Sequence, residues 1–236
     1  EHDDQRATRQ TNGLVTPAVL NALEHSGYDR SFEQLASDGQ VWHSQWQAGS
    51  AVDGQAVQLK ANARTIYLAP GARLDLGGIA KGWAADRAVH RLRRLGPSLV
   101  DAGGDISISG PHLDGEPWPI GLADPFHPDQ DLELLMIYKG GVATSGRDHR
   151  RWQKNGVWQH HIIDPRSGDP AFTDVVTATV IAPTAQSAEM AAKAVLIQGG
   201  VQGIAWLEEH PPLAGLVVLE DGHTLHSSRW LSFVYN

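Results

Sequence analysis

Cysteine is absent from this sequence of 236 residues. Its absence excludes disulfides, metal sites with thiolate ligands and cysteine nucleophiles, but it does not identify the compartment, because either redox environment accepts such a protein.

A surplus of basic charge is also lacking: 19 Lys and Arg stand against 27 Asp and Glu, and the net charge is −8. This balance argues against binding to nucleic acid, whose phosphates require clustered basic residues. No apolar run approaches the roughly 18 residues of a membrane-spanning helix, so no transmembrane segment is predicted.

Strand and helix patterns are mixed along the chain, which predicts an α+β (mixed α/β) fold with mixed sheets flanked by helices. We expect a frayed segment at 1–12 and a single domain at 13–236. The predicted helices lie between Thr16-Pro17 and Gly27 and at 85–95, 187–197 and 202–209. The predicted strands are 42–46, 57–59, 65–68, 106–109, 132–138, 175–182, 216–219 and 231–235.

Glycines precede the second predicted helix in the segment Asp75-Leu-Gly-Gly-Ile-Ala-Lys-Gly82. They would let backbone N–H groups approach an anion at the start of that helix. The segment matches neither the dinucleotide fingerprint nor the P-loop. From the residues alone, a plain turn from strand to helix is an equal interpretation.

Two shorter segments also combine glycine with polar residues. Asp101-Ala-Gly-Gly-Asp105 suggests the close approach of another backbone or of a flat ligand, or else a simple bulge. Ala143-Thr-Ser-Gly146 offers two hydroxyls on a predicted loop, where they would hold a phosphate or the edge of a planar ligand, or form an ordinary turn.

The fourth segment, His160-His-Ile-Ile-Asp-Pro-Arg-Ser-Gly168, is the one whose residues best suit acid–base catalysis. A histidine close to an aspartate can act as a general base near neutral pH. Pro165 and Gly168 favour a turn that would hold such a pair rigidly. A purely structural histidine is the alternative, and the grouping favours a functional one.

Taken together and in this order, the four segments resemble the ApbE family, whose typical blocks read D-L-G-G-I-A-K-G-[YFW], G-G-D, T-S-G and H-I-I-D-P-x-[TS]-G. The resemblance begins near Gly13-Leu-Val-Thr-Pro17 and continues to the C-terminus. Family members are usually longer at the N-terminus. The resemblance therefore implies that an initial segment, which contributes to flavin binding, is missing from this sequence.

The resemblance implies an FAD:protein FMN transferase, which attaches FMN from FAD to a Thr or Ser of an acceptor protein with the assistance of Mg²⁺. FAD and the acceptor are the implied partners, and the extracytoplasmic, periplasmic side is the implied location. His161 would deprotonate the acceptor hydroxyl, and Asp164 would orient His161 or shape its loop. The Ala80 carbonyl and Glu189 would bind the metal. The residues implied to contact FAD are Asp75, Gly77, Gly78, Lys81, Trp83, Gly103, Gly104, Asp105, Thr144, Ser145, Gly146, Ile162 and Lys193.

The last motif departs from the family pattern. Where A-D-x-x-A-T is common and its Asp and Thr bind Mg²⁺, this chain has Ala188-Glu-Met-Ala-Ala-Lys193. A carboxylate at 189 still suits Mg²⁺, but the ammonium of Lys193 would repel it. Lys193 would then either bind the pyrophosphate as a point charge or form an ordinary i,i+4 pair with Glu189. The departure keeps two alternatives open, a flavin-binding protein without activity and an FAD pyrophosphatase that releases FMN and AMP.

Overall fold

The protein is described by a computed structural model, which covers residues 8–38, 51–52 and 56–235. The chain divides into two compact units, one formed by 1–76 with 147–172 and the other by 77–146 with 173–236. We call them the first and the second unit. The mixture of helices and sheets confirms the α+β prediction.

The bounds of the elements are as follows in chain order. The helices are α1 (Leu20–His25), α2 (Phe32–Asp38), α3 (Ala80–Leu92), α4 (Ala185–Gln198) and α5 (Gly200–Glu209). The strands are β1 (Val57–Lys60), β2 (Thr65–Leu68), β3 (Leu99–Asp101), β4 (Ile106–Ile108), β5 (Trp118–Ala123), β6 (Asp131–Ile137), β7 (Gly140–Gly146), β8 (Arg151–Lys154), β9 (Val157–His160), β10 (Ile163–Asp164), β11 (Asp169–Pro170), β12 (Val175–Ala182), β13 (Ala214–Leu219) and β14 (Thr224–His226).

An antiparallel sheet of six strands, in the order β14-β13-β12-β7-β4-β3, forms the centre of the second unit. Every residue of β12 is buried, as expected for a β-branched strand at the centre of a sheet. Helix α4 packs on β7 and β12. Its alanines permit a close approach: a Cβ placed on Gly141 would lie 2.1 Å from Ala185 N. The backbone of β7 therefore touches the first turn of α4 directly.

The hairpin of β5 and β6 packs with the central sheet in one hydrophobic core, in which Leu135, Ile137 and Trp230 are fully buried. Trp230 also donates an indole N–H bond of 2.6 Å to Glu133. The predicted strand at 231–235 is wrong. A 3-10 helix at Trp230–Ser232 includes its first two residues, and Val234 makes a single bridge to Leu135. The buried indole fixes the chain at this point and prevents an extended continuation.

The first unit contains α1, α2 and three pairs of strands, β1–β2, β8–β9 and β10–β11. Thr16 caps the 3-10 turn Pro17–Val19 that leads into α1, and α1 ends two residues before Gly27, as the sequence predicted. Of the segment expected to be frayed, residues 8–10 are helical and Thr11 is buried. The strand predicted at 42–46 lies outside the described residues.

The remaining predicted elements are present with small changes of length. Helix α3 starts at Ala80 rather than at 85, and α4 starts at Ala185 rather than at 187. Helix α2 and the strands β3, β5, β7, β8, β9, β10, β11 and β14 were not predicted. Among the described residues, no helix is long and apolar enough to cross a membrane.

Candidate functional site

A glycine turn leads into helix α3 in the second unit and brings its first turn against helix α4. The N–H of Gly82 donates a 2.9 Å hydrogen bond to Glu189 Oε2. A Cβ on Gly82 would lie 2.7 Å from the backbone of Ala185 and of Gln186, so only glycine permits this approach of the two helices. A carboxylate at a helix N-terminus is stabilised by the dipole of the helix. The start of α3 thus already holds one negative charge of the protein itself.

A second buried carboxyl faces the same turn. Asp105, which is 1% exposed, lies with Oδ2 at 2.9 Å from Lys81 Nζ, and Glu189 is 3% exposed. Lys81 Nζ also lies 3.5 Å from the carbonyl oxygen of Gly103. The first turn of α3 and the loop after β3 are therefore joined by one lysine.

Lys193 completes this group from the next turn of α4. A Cβ placed on Gly78 would lie 2.7 Å from Lys193 Nζ, so the ammonium is seated against the backbone of the glycine turn. Its charge acts on both Asp105 and Glu189. We call Lys81, Asp105, Glu189 and Lys193 the four-charge cluster.

The two carboxyls of the cluster resist ionisation. Burial raises the pKa of Glu189 to about 7, and the neighbouring Asp105 adds to this rise, while the charge of Lys193 opposes it. Burial likewise raises the pKa of Asp105, against the opposing effect of Lys81. Each carboxyl therefore depends on an ammonium group to remain charged.

The predicted metal site, with the Ala80 carbonyl and Glu189 as ligands, can be compared with these residues. A divalent cation prefers several oxygen ligands and no neighbouring cation. Here the two carboxylates are matched by two ammonium groups, and the ammonium of Lys193 lies at the glycine turn itself. Within the described ranges, no group of three or more His, Cys, Asp or Glu side chains could hold a metal ion. The residues present do not fit Mg²⁺.

Gly103 and Gly104 form the loop between β3 and β4, with φ angles of +74° and +90°. Asp101 Oδ1 accepts a 2.7 Å bond from the N–H of Gly104, which closes the loop. In the described part of the chain, no atom lies within 4 Å of a Cβ placed on either glycine. The glycines are thus required by the backbone conformation and not by the approach of another strand.

Thr144, Ser145 and Gly146 lie inside strand β7, so the prediction of a loop at 143–146 is wrong. Polar and glycine residues favour turns locally, but pairing with β12 along these residues overrides that preference. The exposed Thr144 shares a 2.8 Å hydrogen bond with Thr179 on β12, and Ser145 is buried. A single hydroxyl, that of Thr144, is left near the surface at this position.

The histidine segment belongs to the first unit, and its loop is held by Asp164. The Asp164 carboxylate accepts bonds of 2.8–3.1 Å from the guanidinium of Arg166 and one of 2.9 Å from the Arg166 N–H. The carbonyl of Asp164 accepts bonds from Ser167 and Gly168 N–H. Of the two roles predicted for Asp164, these contacts favour shaping the loop.

His160, which the sequence did not single out, has the better defined geometry of the two histidines. Its Nδ1 accepts a 3.3 Å bond from the N–H of Ile162, so Nε2 carries the hydrogen and donates to the Ala171 carbonyl at 3.1 Å. Ile162 is itself buried and accepts a bond from Ala171 N–H. The neutral imidazole of His160 therefore supports the backbone on which the half-buried His161 stands.

Asp86 is a second residue that the sequence did not reveal. Its carboxylate accepts bonds of 3.0 Å from the N–H groups of Ala185 and Gln186 and one of 2.6 Å from the Ser107 hydroxyl. It thereby caps α4 from a neighbouring helix. Sequence spacing carries no signal for a cap from a residue about a hundred positions away.

Of the predicted site residues, the second unit brings together Gly78, Lys81, Asp105, Glu189 and Lys193. Trp83 lies in the first turn of α3, is 47% exposed and has the guanidinium of Arg87 at 5.7 Å from the centre of its ring. His161, Ile162 and Asp164 belong to the first unit, as does Asp75. Their roles stay predictions.

Known proteins with similar sequences are named FAD:protein FMN transferases. An FAD:protein FMN transferase of Treponema pallidum is 35% identical over 189 residues, which are 72% of this chain and 51% of that protein. One of Klebsiella pneumoniae is 33% identical over 178 residues, 74% of this chain and 54% of that protein. This chain thus spans about half the length of the curated relatives that it matches.

Solved structures agree with the sequence relatives. The crystal structure of an ApbE protein of Thermotoga maritima matches 99% of this chain and 76% of its own, with a TM-score of 0.82 and 29% identity. The flavin transferase ApbE from Vibrio cholerae matches 98% of this chain and 74% of its own, with a TM-score of 0.75 and 25% identity. A model of the ApbE family covers residues 3–217. By this match, which extends over both units, the chain belongs to the ApbE family.

Proposed function

We propose that this protein is an FAD:protein FMN transferase, which moves FMN from FAD to a Thr or Ser hydroxyl of an acceptor protein. The relatives that bear this name support the proposal. The observation that carries it is the pair of ammonium groups, Lys81 and Lys193, at a glycine turn that starts helix α3. Lysine binds phosphate oxygens as a point charge, so an ammonium group at this turn suits an anion such as the diphosphate of FAD.

The proposed reaction is phosphoryl transfer and balances as follows. The acceptor hydroxyl oxygen attacks the phosphorus of the FMN half of FAD, and a new P–O bond forms. The P–O bond to the AMP half breaks, AMP leaves with the electron pair, and the hydroxyl proton passes to a base. Catalysis of this kind depends on positioning and on neutralising the charge of the phosphates. In this protein the two lysines of the four-charge cluster supply positive charge.

His161 is the proposed base. The family resemblance assigns it this role, and its surroundings support it. The loop on which it stands is fixed by the ion pair of Asp164 with Arg166 and by the hydrogen bonds of His160. A rigid loop keeps a general base within reach of its proton donor. Trp83, whose ring is half-exposed, is the proposed contact for the flavin or adenine ring.

Incubation with FAD and an acceptor protein containing a target Thr or Ser tests the proposal. A fluorescent acceptor band and an equal amount of AMP should appear. His161→Ala should abolish both products, whereas His149→Ala, a change at an exposed histidine, should leave them unchanged. Absence of the band with every acceptor tried, in protein that still binds FAD, would refute the transferase.

Product analysis also separates the two alternatives. FMN and AMP released in the absence of an acceptor would show an FAD pyrophosphatase, in which water replaces the acceptor hydroxyl. Tight FAD binding without any AMP would show a flavin-binding protein without activity. The presence of Lys193 in place of the family's threonine is the observation that favours a flavin-binding protein without activity as an alternative.

An extracytoplasmic location, on the periplasmic side, is part of the same proposal and has the family resemblance as its support. Fractionation of cells that produce the full-length protein tests it. Recovery with the cytoplasmic fraction would contradict this location.

A further inference from the structure

The four-charge cluster has no excess of negative charge that would require an added cation. Asp105 and Glu189 contribute at most two negative charges, and Lys81 and Lys193 contribute two positive charges. Both carboxyls are buried, so each depends on a nearby cation for its charge. A divalent cation placed among these groups would leave two positive charges in excess.

The position of Lys193 disfavours a divalent metal ion at the glycine turn. Glu189 and Lys193 are four residues apart and lie on the same face of α4. Glu189 is held by the N–H of Gly82, and the ammonium of Lys193 lies against Gly78. Both ends of the glycine turn are thus occupied by side chains of α4, one anionic and one cationic. A divalent ion beside the ammonium would meet strong repulsion, because burial weakens the screening of charges.

An ammonium at this position can also do what a metal would do for a phosphate. Lysine binds phosphate oxygens as a point charge with three hydrogen-bond donors. Lys193 is tethered to a buried helix, so its charge is in place before the substrate arrives. Gly78 has no side chain and leaves the ammonium in contact with the turn where the anion would bind.

From this geometry we infer that the ammonium of Lys193 replaces the divalent cation at this site, so that the protein handles the FAD diphosphate without a metal ion. The inference rests on the proposed function for its substrate. The part of the inference that concerns the cluster, that Lys193 keeps divalent cations out, does not depend on FAD. The two parts can therefore be tested separately.

Calorimetric titration with Mn²⁺, without FAD or acceptor, tests the cluster. The wild-type protein should bind Mn²⁺ at least about tenfold more weakly than Lys193→Met, in which the two carboxyls no longer have this ammonium beside them. The double variant Lys193→Met, Glu189→Gln removes one charge of each sign and should lose the gained binding. Equal binding of Mn²⁺ by the wild type and Lys193→Met would overturn the inference. The double variant and Lys193→Arg replace Lys193→Met in this test if Lys193→Met does not fold. Lys193→Arg keeps the positive charge and should bind Mn²⁺ as weakly as the wild type. Tighter binding of Mn²⁺ by Lys193→Arg than by the wild type would also overturn the inference.

FAD binding, and AMP release with the acceptor protein present, both measured in excess EDTA, test the part of the inference that concerns the substrate. The wild type should bind FAD and release AMP at rates equal, within about twofold, with EDTA and with Mg²⁺. In EDTA, Lys193→Met should bind FAD at least about tenfold more weakly than the wild type. Lys193→Arg should bind FAD with an affinity between those of the wild type and Lys193→Met. Loss of wild-type activity in EDTA with recovery in Mg²⁺ would overturn the inference while supporting the transferase. Inactivity with and without Mg²⁺ would instead refute the proposed function, and the Mn²⁺ titration would still decide the role of Lys193.

Discussion

Protonation of His160 should destabilise the protein as the pH falls below neutrality. Ile162 N–H donates to Nδ1 of the imidazole, and Nε2–H donates to the Ala171 carbonyl. A proton on Nδ1 would remove the acceptor for Ile162 and place a charge in a half-buried position. Burial is the main reason that the pKa of His160 falls from 6.5 to about 4, and the nearby Arg147 contributes in the same direction, against the opposing bond to Ala171.

The size of the effect follows from the pKa values. A fall from 6.5 to about 4 corresponds to roughly 3 kcal/mol, since a tenfold change in a protonation equilibrium is worth about 1.4 kcal/mol. Part of the ring faces solvent, so we expect about 2 kcal/mol after screening. Above the unfolded pKa the imidazole is neutral in both states and its contribution to stability is complete. Between 6.5 and about 4 only the unfolded state takes up the proton, so the contribution is lost progressively over this window.

Urea unfolding followed by tryptophan fluorescence, from about pH 7.5 to about pH 4, measures this loss. The informative quantity is the difference in the free energy of unfolding between the wild type and His160→Gln, because carboxylates titrate equally in both. The difference should shrink by about 2 kcal/mol as the pH falls. A wild-type advantage over His160→Gln that stays constant across the window would refute the reasoning.

The contact between helices α3 and α4 gives three further predictions, each measured as the change in the free energy of unfolding in urea. Gly82→Ala should destabilise the protein by about 3 kcal/mol or more, since its Cβ would strike the backbone at Ala185, whereas Gly110→Ala, with open space around it, should be nearly neutral. Asp86→Ala should cost about 2–4 kcal/mol, because two N–H groups of α4 lose a charged partner. Thr184→Ala, which removes the N-cap of the same helix, should cost about 1 kcal/mol. An Asp86→Ala variant no less stable than Thr184→Ala would contradict the assigned cap.

The elements that the sequence predicted well are those whose local pattern and tertiary surroundings agree. Strand β12 is β-branched and lies at the centre of a sheet, so both requirements select the same residues. The elements predicted wrongly are those where they conflict. Thr144 to Gly146 have the composition of a turn but pair with β12, and Gly82 suggested a later start of α3 although it lies inside the helix. In each case a contact with a distant part of the chain overrides the local preference.

The candidate site divides in the same way. Motif resemblance identified Lys81, Asp105, Glu189 and Lys193 one by one, from three separate segments of the sequence. It did not reveal that they form one group of two carboxyls and two ammonium groups, because no spacing relates position 105 to position 189. Nor did it reveal His160, since two adjacent histidines look equivalent in a sequence. Their roles separate only when the hydrogen-bond partners of each ring are known.

The sequence left Lys193 with two interpretations, a phosphate ligand or an ordinary helix pair with Glu189. In the proposed site the two interpretations are compatible. Spacing of four residues along α4 places both side chains toward the glycine turn, where Glu189 binds the Gly82 N–H and Lys193 contacts Gly78. The carboxylate therefore orients the turn, and the ammonium supplies positive charge at its other end. Because the ammonium is covalently held, the site carries its cation permanently, which is the property that the Mn²⁺ titration measures.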